Sequence, residues 1–379
     1  MLHDKPFNEA EFRAELITRG VDPETAADVA ARTAAGRKGS GRTTGHIQTQ
    51  LALDGSADPR QPKSAPVKRS KPVLPTAIPA KLKTSPPTAR ELKLIKTGAE
   101  IASERPGDDD LGYMHSIICQ VGLPRSEVQG TSFERISGGA GLLVEAGKLW
   151  DGKQFVQQPI PYGPMPRLIL AWMNTYAVRF NTPEIPIGDS ASEFLRMLGK
   201  QTNGGKRGAF TTFKKQVQAL SACRMTLGFN ANGMAHTYEG KPIKHFEAWL
   251  AATEEQRPLW PGTVTFSEDY YKTLKEHAVP LDLRAFMELK GSALAMDVYA
   301  WLAQRLYRVE GKGRTLHWKS LREQFGQEYE GKEPDKNFKK KFLPALRDVL
   351  TVYPQARVKQ VNGGILVMRS SPPVPPKGA

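Results

Sequence analysis

The sequence predicts an α+β fold that is mostly helical, because one order of elements occurs twice in the second half of the chain. In each copy an apolar helix precedes a short helix, a basic helix and a strand pair broken at a Gly-containing turn. Landmarks in the two copies lie 129, 127 and 125 residues apart, namely Trp172 and Trp301, Leu198 and Phe325, and Phe213 and Phe338. A basic helix followed by a β-hairpin outlines a winged helix-turn-helix, so we expect two of these domains in tandem.

The balance of charge indicates a polyanionic partner. The chain has 379 residues and a formal net charge of +15. Nucleic acid is the first candidate partner for such a charge and an anionic membrane the second. Between Arg32 and Lys96, 14 basic residues stand against 3 acidic ones, which is +11. Most of the net charge therefore lies in this segment.

Several classes of protein are excluded by composition. The only cysteines, Cys119 and Cys223, are too few for a disulfide framework or a zinc site and fit a reducing compartment. No apolar run approaches the roughly 20 residues of a membrane helix, and the start has no apolar signal segment. We therefore expect a cytoplasmic protein without membrane contact, metal or cofactor.

Changes in composition divide the chain into five parts. The predicted parts are a short helical leader at 1–35, a disordered basic linker rich in Pro, Gly and Ser at 36–87, an N-terminal winged-helix domain with its entry region at 88–250, a bridge at 251–291 and a C-terminal winged-helix domain at 292–379. The leader is either a docking or dimerising module or a weakly structured segment. The linker either contacts phosphates non-specifically or is a plain tether.

In the entry region we expect helices at 88–103 and 113–123. The Gly-rich stretch ISGGAGLLVEAGKLW that follows Arg135 does not fit a phosphate-binding loop. Leu142 stands where the first Gly of such a motif belongs, and Leu149 follows Lys148 in place of Ser or Thr. We expect this stretch to form a turn between a helix and a strand.

The first unit, residues 168–239, has a basic helix at about 208–223 with Phe210, Phe213, Val217 and Leu220 on one stripe. No acidic residue occurs between Phe194 and Tyr238, which makes this unit the stronger expected anchor on DNA. Its predicted DNA-binding residues are Lys206, Arg207, Thr211, Lys214, Lys215, Gln218 and Arg224.

The second unit, residues 294–370, repeats the pattern with a more mixed charge. Its basic helix follows Pro334, and strands at 356–361 and 365–370 flank a wing tip at Asn362-Gly363-Gly364. Its predicted DNA-binding residues are Lys336, Asn337, Lys339, Lys340, Lys341, Arg347, Arg357 and Lys359. Between the units, we expect strands at 245–250 and 263–266, a helix capped by Ser267, and a loop with a short helix at 280–290.

Five separated motifs resemble the plasmid replication initiators called RepA. They are LGYMHSIICQVGLPRS, PIPYGPMPRLILAWM, IGDSASEFLRMLGKQTNGGKRGAFTTFKKQ, SALAMDVYAWLAQRLYRV, and VYPQARVK followed by SSPPVP, and they cover about residues 100–375. The resemblance implies an initiator that binds repeated sites in a plasmid origin and recruits host initiation proteins and helicase. It also implies plasmid copy number control, repression of its own gene and dimer formation.

Two other functions remain as alternatives. A transcriptional repressor or a partition-type protein needs the same DNA-binding units, so the sequence separates it poorly from an initiator. A nicking initiator needs a pair of histidines for a metal and a nucleophilic tyrosine. The seven histidines never occur as His-x-His, and Tyr270-Tyr271 falls in a predicted helix. We therefore expect no enzymatic activity.

Overall fold

The computed structural model describes residues 86–151, 153–187, 191–198, 208–231, 234–240, 242–245, 263–329 and 331–375, together with isolated residues before position 36. The predicted linker, apart from its last two residues, lies outside the described residues, as does most of the strand predicted at 245–250. The same holds for Asn203-Gly204-Gly205 and Asn232-Gly233, where the sequence of the first unit predicts turns. The described residues of the leader that are helical are Ala10, Arg13, Ala14, Ile17, Pro23, Ala27 and Ala31.

The structure confirms an α+β fold of helices and small antiparallel sheets. The entry region begins with the predicted helix, whose N-cap Thr88 accepts a hydrogen bond from the Glu91 amide while the Glu91 carboxylate accepts one from the Thr88 amide. The elements of this region are α1 (Ala89–Ser103), β1 (Leu111–His115), α2 (Ser116–Val121), β2 (Ser132–Ser137), β3 (Ala140–Glu145), β4 (Lys148–Trp150) and β5 (Phe155–Gln157).

Two predictions for the entry region were wrong in detail. The segment predicted as one helix at 113–123 is a strand followed by a short helix, because His115 ends β1 and caps α2 by accepting a hydrogen bond from the Ile117 amide at 3.2 Å. The Gly-rich turn joins two strands rather than a helix and a strand. Gly138, with a φ of 60°, lies in the tight turn where β2 and β3 pair from Ser137 and Ala140 outward.

The first unit contains the predicted helices and strand pair. Its elements are α3 (Pro164–Phe180), β6 (Glu184–Pro186), α4 (Ala191–Met197), α5 (Ala209–Ala222), β7 (Arg224–Ala231) and β8 (Met234–Gly240). The strand pair does not form a sheet of its own. It joins the β2–β3 hairpin in a four-stranded sheet with the order β2-β3-β7-β8.

The bridge is a structured segment that pairs with earlier parts of the chain. Its elements are β9 (Ile243–His245), β10 (Thr263–Phe266), α6 (Glu268–His277), β11 (Ala278–Asp282) and α7 (Leu283–Glu288). β10 lies between β6 and β9, and β11 pairs along its whole length with β1. Pro280, predicted in a loop, is accommodated in β11 opposite Tyr113, whose amide donates to the Thr175 hydroxyl instead of across the ladder.

The second unit has the same order of elements as the first, but its strands pair differently. Its elements are α8 (Ala293–Arg305), β12 (Arg314–His317), α9 (Trp318–Phe325), α10 (Pro334–Val352), β13 (Val358–Val361) and β14 (Gly364–Val367). Here the strand between the first two helices joins the strand pair in a three-stranded sheet, β12-β14-β13. In the first unit the corresponding strand, β6, pairs with the bridge instead.

The entry region packs against both units, which the sequence did not predict. α2 is buried along its whole length and contacts α8. α1 lies so close to α10 that a Cβ at Gly98 would be 2.0 Å from the carbonyl oxygen of Thr351. Nearby, Arg90 forms an ion pair with Asp348 at 2.7 Å. The buried apolar side chains of the entry region, both units and the bridge form one continuous core.

A buried ion pair joins the first helices of the two units. Arg167 of α3 donates to both carboxylate oxygens of Asp297 of α8 at 2.6 and 2.7 Å. The same guanidinium donates to the carbonyl oxygens of Leu123, Pro124 and Gly163. Both side chains are almost inaccessible to water, at 2% and 7% exposure. The pair is therefore satisfied by several charge-assisted hydrogen bonds inside the core.

We expect Asp297→Asn to destabilise the protein by about 3–5 kcal/mol, because a buried guanidinium then loses its counter-charge. Urea unfolding followed by circular dichroism measures this free energy. The double variant Arg167→Met, Asp297→Leu should recover much of the loss, since no unpaired charge remains buried. Lys96→Ala, which breaks an exposed pair with Glu100, serves as the control and should change stability by less than about 0.5 kcal/mol. A stable Asp297→Asn variant would contradict the assignment.

The stability of the protein depends on pH through a second buried polar group, His115. His115 is fully buried, and burial, followed by the neighbouring His277, lowers its pKa to about 3. Its ring stacks on that of Tyr270 at 5.8 Å, and its Nδ1 must stay unprotonated to accept from the Ile117 amide. The folded protein therefore holds this imidazole neutral at a pH where the unfolded chain protonates it.

We expect the free energy of unfolding to fall as the pH drops from about 6.5 towards about 3, by up to about 1.4 kcal/mol per pH unit for one such group. Above this window both states are neutral and the contribution is complete. His115→Asn keeps a capping acceptor without a titrating ring, so urea unfolding at pH 7 and pH 4.5 should show a smaller difference in this variant. The pKa of His277 is lowered too, so part of the dependence remains. Equal differences in the two proteins would refute the role of His115.

Candidate nucleic-acid interface

Helix α10 of the second unit separates an apolar face from a basic one. It starts at Pro334, whose fixed φ suits the first turn of a helix. Phe338, Phe342, Leu346 and Val349 lie on its buried face. The stripe that the sequence predicts, Phe338, Phe342, Leu346 and Leu350, is confirmed at its first three positions, whereas Leu350 is half-buried. The lysines between these positions are left on the outer side of the helix.

Most of the predicted contact residues on α10 face solvent. Within the part of the chain that the structure describes, four of them are exposed and have no ion pair or side-chain hydrogen bond: Asn337, Lys340, Lys341 and Arg347. Two others are held locally. Lys336 pairs with Glu333 at 2.8 Å, and the ammonium of Lys339 lies 5.1 Å from the ring centre of Trp318. The uncompensated charge is thus concentrated on Lys340, Lys341 and Arg347.

The hairpin after α10 has the predicted tight turn. Val361 pairs with Gly364, and Gly363 has a φ of 80°, so Asn362-Gly363 forms the two-residue connection. The Trp318 amide donates to the Gly363 carbonyl at 3.0 Å, which joins the start of α9 to this turn. Arg357 and Lys359 are exposed at the edge strand β13 and its approach. Helix and hairpin thus expose basic side chains within one unit.

In the first unit, a lysine of the basic helix α5 forms hydrogen bonds with residues outside that helix. Lys215 donates to the Glu127 carboxylate at 2.8 Å and to the Tyr162 hydroxyl at 3.2 Å. The hydrogen bond to Glu127 raises the pKa of Lys215, and the same bond lowers the pKa of Glu127. Glu127 belongs to the entry region, far from α5 in sequence. The charge of Lys215 is therefore partly neutralised within the protein.

The remaining predicted residues of this unit differ in their settings. Thr211 is exposed, while Lys214 and Gln218 are half-buried. Arg224 forms an exposed ion pair with Glu239 across the β7–β8 ladder at 2.8 Å. Lys206 and Arg207 lie outside the described residues.

Some basic residues are used inside the fold, and others were missed by the prediction. Arg125 and Arg135 both pair with Glu328, and burial lowers the pKa of Arg135 to about 10. The prediction considered only the two basic helices and the expected wing. It therefore missed four exposed cations elsewhere in the second unit, Lys312, Arg314, Lys319 and Arg369. The pairing of β12 with β14 places Arg314 opposite Val367, two residues before Arg369, which spacing along the chain does not reveal.

Comparison with protein families identifies the central part of the chain. Residues 160–320 match the model of a family described as plasmid encoded RepA protein. Over these residues the chain is similar to the RepA family. The RepA match covers the first unit, the bridge and the start of the second unit, and it ends within α9. Comparison with curated proteins gives no match, and comparison with solved structures gives none either.

The described residues contain no group of three or more His, Cys, Asp or Glu side chains placed to hold a metal ion. Among the described helices, none is both long and apolar enough to cross a membrane.

Proposed function

We propose that this chain is a sequence-specific duplex DNA-binding protein that initiates plasmid replication. The observation that carries the proposal is the row of unpaired cations on α10 beside a three-stranded sheet. Such a surface suits a polyanion with regular phosphate spacing, since an exposed cation without a carboxylate partner is available to displace counterions. The match of residues 160–320 to the plasmid RepA family supports plasmid replication as the role of this surface.

The second unit supports a winged helix-turn-helix assignment. Its element order, helix, strand, helix, helix, strand, strand, ends in a hairpin whose strands pair with the first strand. On this proposal α10 enters the major groove and the β13–β14 hairpin is the wing. Asn337 near the start of α10 then contacts base edges, while Lys340, Lys341, Arg347, Arg357 and Lys359 contact phosphates.

The first unit is proposed as a second, modified winged helix. It has the same order of elements, although its strands belong to a larger sheet. The shared core and the Arg167–Asp297 pair hold both units in one arrangement. Fixed spacing would turn two modest contacts into one tight interaction with consecutive sites. This favours directly repeated sites about two helical turns apart, the arrangement expected of origin repeats.

Footprinting of the purified protein on DNA flanking its own gene tests the proposal. Protection of direct repeats would support an initiator that recruits host initiation proteins and helicase in the cytoplasm. Protection of a single palindrome at the promoter would instead favour the alternative, a repressor or partition-type protein, acting as a homodimer. Absence of protection at moderate salt would refute both.

We propose that the protein acts by binding rather than by catalysis. The sequence has no His-x-His pair to supply a metal site for strand nicking. Both tyrosines of the Tyr270-Tyr271 pair are held in α6, where Tyr270 donates to the Asn174 side chain at 3.1 Å and burial raises the pKa of Tyr271 to about 12. Neither setting activates a phenol as a nucleophile. Strand-specific nicking of supercoiled plasmid with a divalent ion would overturn this proposal.

Removal of one phosphate contact should change the salt dependence of duplex binding. We expect Lys340→Ala or Lys341→Ala each to lower the slope of log affinity against log salt by about one unit, without changing the preferred sequence. Asn337→Ala should lose about 1–3 kcal/mol on the cognate site only. Fluorescence anisotropy over a salt series measures both. Lys272→Ala, an exposed lysine on α6, is the control; an equal decrease there would show a non-specific effect of net charge.

Release of Lys215 from its internal partner should strengthen duplex binding. In Glu127→Gln the ammonium loses its carboxylate and becomes available to a phosphate, so we expect higher affinity and a salt slope steeper by up to about one unit. Lys215→Ala should then weaken binding more in the Glu127→Gln background than alone. Glu134→Gln, which removes an exposed negative charge from β2, controls for the effect of net charge on DNA affinity. Weaker binding by Glu127→Gln would mean that the pair has a structural role.

A further inference from the structure

The β4–β5 hairpin exposes a pair of aromatic rings. Trp150 and Phe155 occupy directly opposite positions on the two strands, with ring centroids 5.2 Å apart. The exposed fractions of these two side chains are 49% and 67%, far above those of the aromatic side chains that are buried in the core. Exposing two large rings on one small hairpin is costly unless something covers them in function.

The hairpin is fixed to the body of the protein at its base. A Cβ at Gly147 would lie 2.0 Å from the carbonyl oxygen of Ala222, so the chain before β4 packs directly on the last residue of α5. At the tip, the Asp151 carboxylate accepts from the amides of Lys153 and Gln154, both at 2.8 Å. The rings are therefore presented in a defined orientation, which lowers the entropic cost of binding to them.

The surroundings of the rings favour a nucleic-acid strand over a protein. Lys148 and Lys153 are exposed on the same hairpin. The apolar patch is also small. On the hairpin the exposed Val156 alternates to the face opposite Phe155, and among the described residues the exposed Ile136 and Met234 lie at the other end of the β2-β3-β7-β8 sheet from the start of β4. Protein interfaces normally bury a larger continuous area. Flat rings beside lysines are instead the usual platform for unpaired bases and their phosphates.

We propose that the β4–β5 hairpin binds single-stranded DNA, with bases stacking on Trp150 and Phe155 and phosphates contacting Lys148 and Lys153. The site takes any unpaired strand, since every base has a flat face. This proposal rests on the proposed function only because that function identifies DNA as the polymer. The hairpin base packs on the last residue of α5, the basic helix of the first unit.

Binding of fluorescein-labelled oligothymidine of roughly 20 nucleotides to the full chain tests the site. The double variant Trp150→Ala, Phe155→Ala should lose about ten- to a hundredfold in single-strand affinity, with duplex affinity unchanged. Trp150→Phe should retain most of the binding, whereas Trp150→Leu, which is apolar but cannot stack, should not. The matched control removes two other exposed apolar side chains, Leu92→Ala with Ile95→Ala, and should bind as the unaltered protein does.

The remaining outcomes are distinguishable. Unchanged single-strand binding by the Trp150/Phe155 variant refutes the site, and so does an equal loss of duplex binding with a lowered melting temperature. A shift from dimer to monomer in sedimentation, without loss of single-strand binding, would assign the rings to an interface between copies and refute the proposal. If the unaltered protein binds oligothymidine but not duplex, the hairpin site stands and the duplex function fails.

Discussion

The arrangement of the two units depends on the ion pair between Arg167 and Asp297. A guanidinium and a carboxylate buried this deeply are tolerated only with complete hydrogen bonding, and the carbonyls at 123, 124 and 163 complete it. Gly122, with a φ of 65°, lets the chain approach the carboxylate closely, since a Cβ there would meet Asp297 at 3.0 Å. The loop after α2 is thereby folded over the joint between α3 and α8. The pair thus fixes three segments at once and leaves the units little freedom to rotate.

The distribution of charge follows from this packing. In sequence the stretch between Phe194 and Tyr238 has no acidic residue, which predicts the stronger anchor. The fold nevertheless brings Glu127 from the entry region onto Lys215 and pairs Arg224 with Glu239. In the second unit the local acids Glu333 and Asp335 are occupied by Lys336 and Arg322. Lys340, Lys341 and Arg347 lie farther along α10 and stay uncompensated. Among the described residues, the second unit therefore has more exposed cations without an ion pair than a count of charges along the sequence suggests.

Local features were predictable from the sequence and distant pairings were not. The cap of α1 at Thr88, the buried stripe of α10 and the Asn362-Gly363 turn each depend on residues within a few positions of one another, so spacing reveals them. The pairing of β1 with β11 joins residues about 170 positions apart, and its pattern of apolar residues also suits a helix. In the same way, the ion pair of Lys215 depends on a carboxylate 88 residues away in the sequence. The predicted helices and hairpin are thus present, while the partners of their side chains depend on the tertiary fold; contact of these residues with DNA stays a prediction.

The two units differ in sheet pairing, so they differ in which strands and side chains are open to a partner. In the second unit β13 is the edge strand of the β13–β14 hairpin, so Arg357 and Lys359 remain open to a partner. In the first unit β7 is enclosed between β3 and β8, and the same β2–β3 hairpin leads directly into the β4–β5 hairpin. Enclosure makes the first unit a rigid support, and a rigid support is what an exposed aromatic pair needs to keep its orientation. On the proposed function, the second unit therefore contributes most of the phosphate contacts, and the first unit holds the duplex beside a site for the separated strand.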